Sequence, residues 1–170
     1  FTEFAVSAAR KAGELLKSHL NTPHSIDYKG VVNLVTEADR MSEALILDLI
    51  QRQFPDHSVL TEESPERERD SSYRWIIDPL DGTTNYAHNY PVFCVSIALE
   101  QDGNLIVGVV YHPMMDEMFV AEKGKGSWLN GQRIWVSDTA DLSRSLLATG
   151  FPYDVRESEN NNLNYFNSMI

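Results

Sequence analysis

The stretch Asp78-Pro79-Leu80-Asp81-Gly82-Thr83-Thr84-Asn85, directly behind the apolar run Trp75-Ile76-Ile77, sets two carboxylates three residues apart. Proline has no N–H and a fixed φ, so the chain is expected to leave its strand at Asp78. Asp78, the Leu80 carbonyl and Asp81 would then converge as hard oxygen donors of the kind Mg²⁺ accepts. The Gly82 and Thr83 amides, at an expected helix start, would suit a phosphate beside that ion. The implied chemistry is metal-assisted handling of a phosphate. More acids lie upstream: Glu62-Glu63 after Ser58-Val59-Leu60, and Asp39 within Val35-Thr36-Glu37-Ala38-Asp39.

Each of these residues also has a plain structural use. Pro-x-Asp-Gly is a common turn signature. Asp39 follows Thr36 at capping-box spacing. Glu62 and Glu63 lead into the solvated run Glu66, Arg67, Glu68, Arg69 and Asp70. Thr83 suits an ordinary helix start. His57, His88 and His112 lack ligand spacing to one another and receive no role. The Trp75, Trp128 and Trp135 rings are expected to pack in the core and on the sheet.

Composition narrows the classes. The 170 residues contain 14 Lys and Arg against 25 Asp and Glu, a formal net charge of −11. No basic stripe offsets that charge, which argues against a nucleic-acid surface. An acidic chain that handles an anionic phosphate needs its local field inverted, and bound divalent cations do this. Cys94 is the only cysteine. A disulfide within the chain is therefore impossible, a reducing cytoplasmic setting is expected, and the thiol reads as buried and inert in Val92-Phe93-Cys94-Val95. No apolar run is long enough to cross a bilayer, and no signal peptide is visible. Both ends look cut, since the chain starts at Phe1 without a methionine and stops inside a helical pattern. That leaves room for an upstream targeting segment.

The acids need elements to hold them. Residues 1–20 carry a helical apolar period through Phe4, Ala5, Ala8, Ala9, Ala12, Leu15 and Leu16. A second helix is expected from about Thr36 to Phe54, closed by Pro55. Short strands are expected at Ser58–Leu60 and Tyr73–Ile77. Further strands follow at Val92–Glu100, Leu105–Tyr111, Glu117–Ala121, Ser127–Leu129 and Arg133–Ser137, joined by turns such as Asn130-Gly131. The expected body is an α+β domain over 1–142, two helices on one face of an antiparallel sheet. A strand at Leu146–Thr149 and a helix within Ser158–Ile170 suggest that an α/β domain begins over 143–170.

With Asp39, Glu62-Glu63-Ser64 and Asp78–Asn85 in view, the chain resembles the inositol monophosphatase family of Mg²⁺-dependent, lithium-sensitive phosphatases. The resemblance runs from Lys29 and Asn33-Leu34-Val35-Thr36 through Gly108-Val109-Val110-Tyr111 to Gly124-Lys125-Gly126 and Asn130-Gly131. It implies a layered α/β sandwich, a homodimer and two or three Mg²⁺ ions. It further implies that Glu62, Asp78 and the Leu80 carbonyl hold the first ion. Asp78 and Asp81 would share a second, and Glu63 would lie in the outer shell or near a third. Asp39 and Thr83 would orient the attacking water, the Gly82 and Thr83 amides would hold phosphate, and Lys29 would belong to a mobile loop near the metals. Thr61 departs from a common family glycine, which should alter loop geometry and not metal binding. The family's C-terminal half, with a further metal-ligating aspartate, is expected to be missing. The implied substrate is small and phosphorylated: myo-inositol monophosphate first, with fructose 1,6-bisphosphate, histidinol phosphate or adenosine bisphosphate as alternatives. A non-catalytic interaction or regulatory protein that keeps the fold is the rival from another class.

Overall fold

In chain order the elements are α1 (Thr2–His19), β1 (Ile26–Tyr28), β2 (Leu34–Thr36), α2 (Glu37–Gln53), β3 (Ser58–Thr61), β4 (Tyr73–Asp81) and α3 (Thr83–Ala87). They continue with β5 (Cys94–Gln101), β6 (Asn104–His112), β7 (Glu117–Glu122), β8 (Gly126–Leu129), β9 (Gln132–Ile134) and α4 (Leu163–Met169). The structure is a computed structural model that describes residues 1–21, 26–28, 34–151, 155–158 and 161–169. Two compact units result, one of Phe1–Tyr28 with Leu34–Trp135, the other containing Val136–Ile170.

In the first unit, α1 buries Ala5, Ala8, Ala9, Ala12 and Leu16 on one stripe. Small residues let the helix lie close to the sheet. At Gly13 the approach is closest: a Cβ would stand 2.5 Å from the Tyr111 ring and 3.1 Å from Pro113. Helix α2 packs beside α1 and against β4, burying Ala38, Ile46, Leu47 and Ile50. The sheet answers with alternate buried residues, Trp75 and Ile77 on β4, Val95, Ile97 and Leu99 on β5, and Val107, Val109 and Tyr111 on β6. Two amphipathic helices and one sheet face thus share a single core.

The sheet runs β3-β4-β5-β6-β7-β8-β9. From β4 onward every neighbouring pair is antiparallel, as the close turns predict. At the β3 edge that expectation fails, because β3 and β4 are parallel, Ser58 opposite Arg74 and Thr61 opposite Ile77. The charged segment 62–72 carries the chain back along the strand before it re-enters, and that return is what a parallel pair needs. Glu62 and Glu63 consequently follow the end of β3 at the same end of the sheet where β4 reaches Asp78.

Nor does the strand stop at Asp78. β4 continues through Pro79 to Asp81. Asp78 pairs with Ser96 and Asp81 with Cys94. Three steps on β4 therefore match two on β5, and the extra residue makes a bulge. Proline is tolerated where the ladder is already interrupted.

Two other expectations are corrected. Trp135 is 76% exposed, outside the core, with the Arg133 guanidinium 4.3 Å from its ring centre. Leu146–Thr149 forms no strand, and Leu146 is fully exposed. A strand without a neighbour leaves its backbone donors and acceptors without ladder partners, so an apolar run alone does not make one. The second unit does form its helix, α4, with Phe151 and Phe166 edge to face at 5.7 Å. Among the described residues no helix is long and apolar enough to cross a membrane.

Candidate active site

The first turns of α2 face the acid-bearing segments. Asp39, Ser42 and Glu43 are all buried, and their spacing of three and four residues places them on one helix face. Asp39 Oδ1 accepts a hydrogen bond from Thr83 Oγ1 at 3.0 Å. Ser42 Oγ donates to the Pro79 carbonyl at 2.7 Å. Glu43 accepts from Thr61 Oγ at 2.8 Å through one carboxylate oxygen and from Ser64 Oγ at 2.7 Å through the other.

From the opposite side, the bulge of β4 and the start of α3 complete the arrangement. The Leu80 N–H donates to Asp78 Oδ1 at 3.1 Å, fixing that carboxylate across Pro79. Thr83 Oγ1 also lies 3.1 Å from the Leu80 carbonyl oxygen. A hydroxyl has one proton, and the charged Asp39 oxygen is the stronger acceptor. Gly82 connects strand to helix at φ 98°, and a Cβ there would meet the Val92 carbonyl at 3.0 Å. Both the backbone angle and the space demand glycine. Helix α3 is pinned from behind by the Tyr86 hydroxyl on the Leu16 carbonyl, 2.7 Å away, and by Asn85 Nδ2 on the Val92 carbonyl at 2.8 Å.

Charge is crowded here. Burial, then Glu62, Asp81 and Asp39, push Asp78 up to about 7 against the opposing Leu80 amide. Burial and Asp81 push the Cys94 thiol up to about 12, with Sγ 3.6 Å from Asp81 Oδ2. Burial and Asp39 raise the Tyr86 hydroxyl to about 12 as well. Burial is the largest cause in each case and the neighbouring carboxylates add to it; a divalent cation beside Asp78 and Asp81 would offset the carboxylate part. The donors are carboxylates and a backbone carbonyl, the hard oxygen set that suits Mg²⁺. Among the described residues no three His, Cys, Asp or Glu side chains form a ready metal cluster.

Asp39, Thr83, Asp78, the Leu80 carbonyl and Asp81 therefore meet at one end of the sheet, with Glu62 close enough to repel Asp78. Glu63 is half-buried on the same loop. Lys29 lies outside the described residues. Sequence reasoning missed Ser42, Glu43 and the nearness of Cys94. The available signal was helical: Ser42-Glu43 follow Asp39 on the face that cannot be solvent if Asp39 is not.

The match to known proteins agrees with this geometry. The model of the inositol monophosphatase family covers residues 1–169. The chain belongs to the inositol monophosphatase family. Members are metal-dependent, typically on Mg²⁺. An inositol-1-monophosphatase of Synechocystis sp. is 48% identical over 162 residues, 94% of this chain and 56% of that protein. The Nus factor SuhB of Escherichia coli is 46% identical over 156 residues, 90% of this chain and 58% of that one. The solved inositol monophosphatase of Anabaena (Nostoc) sp. superposes with a TM-score of 0.86 at 47% identity, covering 99% of this chain and 62% of its own. The chain thus spans less than two thirds of these family members.

Proposed function

We propose that the protein is a Mg²⁺-dependent phosphomonoesterase that hydrolyses myo-inositol monophosphate to inositol and phosphate. The observation that carries this reading is the Asp39–Thr83 hydrogen bond beside Asp78, whose ionised form is disfavoured by burial and by the nearby Glu62 and Asp81. Glu62, Asp78 and the Leu80 carbonyl would hold a first ion, Asp78 and Asp81 a second, with Glu63 in the outer shell or at a third. When bound, Mg²⁺ supplies charge neutralisation on the phosphoryl oxygens and makes water more acidic. Thr83 donates its proton to Asp39, so its oxygen lone pairs accept from a water O–H and aim that water at phosphorus. Asp39 holds the hydroxyl in this orientation; as the water passes a proton to Thr83 Oγ1, the Thr83 hydroxyl proton passes to Asp39, which ends as the neutral acid. The Gly82 and Thr83 amides, at the first positions of α3, have no acceptor within the helix and suit phosphate oxygens.

The acidic balance of the chain, with no basic patch evident for a second phosphate, favours a monophosphate over the bisphosphates. Fructose bisphosphate, histidinol phosphate and adenosine bisphosphate are the alternatives. A cytoplasmic, lithium-sensitive homodimer and a mobile loop containing Lys29 complete the proposal. The Escherichia coli relative, named as a Nus factor, supports the second reading of an interaction protein that keeps the fold. Phosphate release from these four substrates, with and without Mg²⁺, separates the readings. Mg²⁺-dependent release that is fastest on inositol monophosphate is expected; a folded protein that releases none from any of them favours the interaction protein.

A further inference from the structure

Glu43 is a buried carboxylate with no part in the chemistry proposed above. It is 6% exposed, and its bonded partners flank the acidic pair: Thr61 immediately before Glu62, Ser64 immediately after Glu63. One rigid helical side chain therefore grips both ends of the two-residue segment that bears Glu62 and Glu63. The adjacent residue, Ser42, grips the Pro79 carbonyl between Asp78 and Leu80. The same helix face thus reaches the segment after β3 and the bulge of β4.

We propose that Glu43 is a positioning residue for the metal site, acting through the Thr61 and Ser64 hydroxyls to hold Glu62 and Glu63 opposite Asp78 before any ion binds. Three features support this assignment. Burying a carboxylate is costly unless it is well hydrogen-bonded, so a solvated charge run gives no reason for one at this position. Its two oxygens are used separately, one per hydroxyl, which fixes the rotation of the loop as well as its distance. Thr61 supplies a hydroxyl that the glycine common in the family lacks, so the departure noted in the sequence gains a purpose. An ion-binding site kept closed in this way loses little ordering entropy on binding.

The inference rests on Glu62 being a metal ligand, so the test includes that residue. Mg²⁺ binding to the intact protein is measured calorimetrically for the wild type, Glu62→Gln, Glu43→Gln, Glu43→Ala and Thr61→Val. Amide hydrogen exchange of the metal-free proteins is followed in parallel. Glu43→Ala is expected to raise the Mg²⁺ dissociation constant about 10–100-fold, the usual scale for losing an outer-shell partner. Exchange should quicken at residues 61–64 and stay unchanged in β5 and β6. Glu43→Gln, which keeps an acceptor for Thr61 and a polar partner for Ser64, should recover most of the affinity. Thr61→Val should fall between the two, and it carries the test by itself if Glu43→Ala does not fold. Wild-type affinity or unchanged exchange at 61–64 in Glu43→Ala, or in Thr61→Val when that variant stands alone, overturns the positioning role. So does a Glu43→Gln variant as weak as Glu43→Ala, which would make the charge itself the agent. If Glu62→Gln also binds Mg²⁺ normally, it is the ligand assignment that has failed.

Discussion

Residues 37–94 and residues 136–169 are both rich in leucine, serine and aspartate, yet they differ sharply in what those residues touch. In the first segment, side chains far apart in sequence bond to one another inside the protein: Asp39 with Thr83, Ser42 with Pro79, Glu43 with Thr61 and Ser64. Among the described residues of the second, the hydrogen bonds are local or lie at exposed groups, as in Ser143 on Asp141 and Asn162 on Gly150. Helix α4 buries none of its residues, and Leu146, Tyr165 and Met169 are exposed. A buried polar network needs a core to exclude water around it. Residues 37–94 have one in Trp75, Leu80, Ile46 and Tyr86. Chemistry that depends on fixed distances belongs in the first segment.

The sharpest way to break this comparison is at the carboxylates. Asp78→Asn should lower Mg²⁺-dependent phosphate release by at least about 10³-fold, the scale of removing a charge from a preorganised electrostatic site. The same substitution should raise the melting temperature of the metal-free protein. The sign follows from the raised value of Asp78: its ionised form is disfavoured in the folded state, so a neutral isostere removes a repulsion. A lower melting temperature would show that the charge is satisfied by a partner within the chain. Thr83→Ala comes next, with kcat reduced by about 10²–10⁴ and Mg²⁺ affinity nearly unchanged. Equal losses in both would make Thr83 a structural cap.

Gly82→Ala tests the hinge between strand and helix. The left-handed φ and the 3.0 Å approach to the Val92 carbonyl should cost about 1–3 kcal/mol in chemical denaturation. Stability equal to wild type would mean that the turn relaxes freely. A smaller effect is expected at His57, which accepts from the Trp75 indole N–H at 3.1 Å and stacks on Tyr73. Burial lowers its pKa from 6.5, with Asp56 opposing. Stability from the neutral ring is complete above 6.5 and is lost as pH falls below it toward the folded-state value, because the unfolded chain takes up the proton first. His57→Gln should flatten the change in melting temperature between pH 7.5 and 5.5. Least of all, Leu146→Ser should alter stability by no more than about 0.5 kcal/mol, as for an exposed substitution. A larger loss would place that leucine in a core and erase the contrast.

Much of the first unit was legible because its signals are local. The period of Ala5, Ala8, Ala12 and Leu16, the alternation around Val95, Ile97 and Leu99, and the Asn130-Gly131 turn each report a single element. The acids around Asp78 were legible through spacing and resemblance. The parallel β3–β4 pair was not, because nothing within 62–72 states which way the chain turns back. Glu43 was missed for a similar reason: a glutamate on a helix looks like solvent-facing charge until the partners of both oxygens are known. The supposed strand at Leu146–Thr149 shows the reverse error, an apolar run taken as an element although its existence depends on a neighbour.

The parallel edge also bears on the order in which the molecule assembles. Strands β5 to β9 are joined by short turns, so each pairing closes a small loop and can form early. Strand β3 must wait for the whole of 62–72 to return, and α2 meets Thr83 across 44 residues of chain. The meander should therefore zip first and the acid-lined edge last. Pulse-labelled hydrogen exchange during refolding should show protection in β6 and β7 before β3. The region that would bind the metal is then the latest to acquire its shape and the first to lose it.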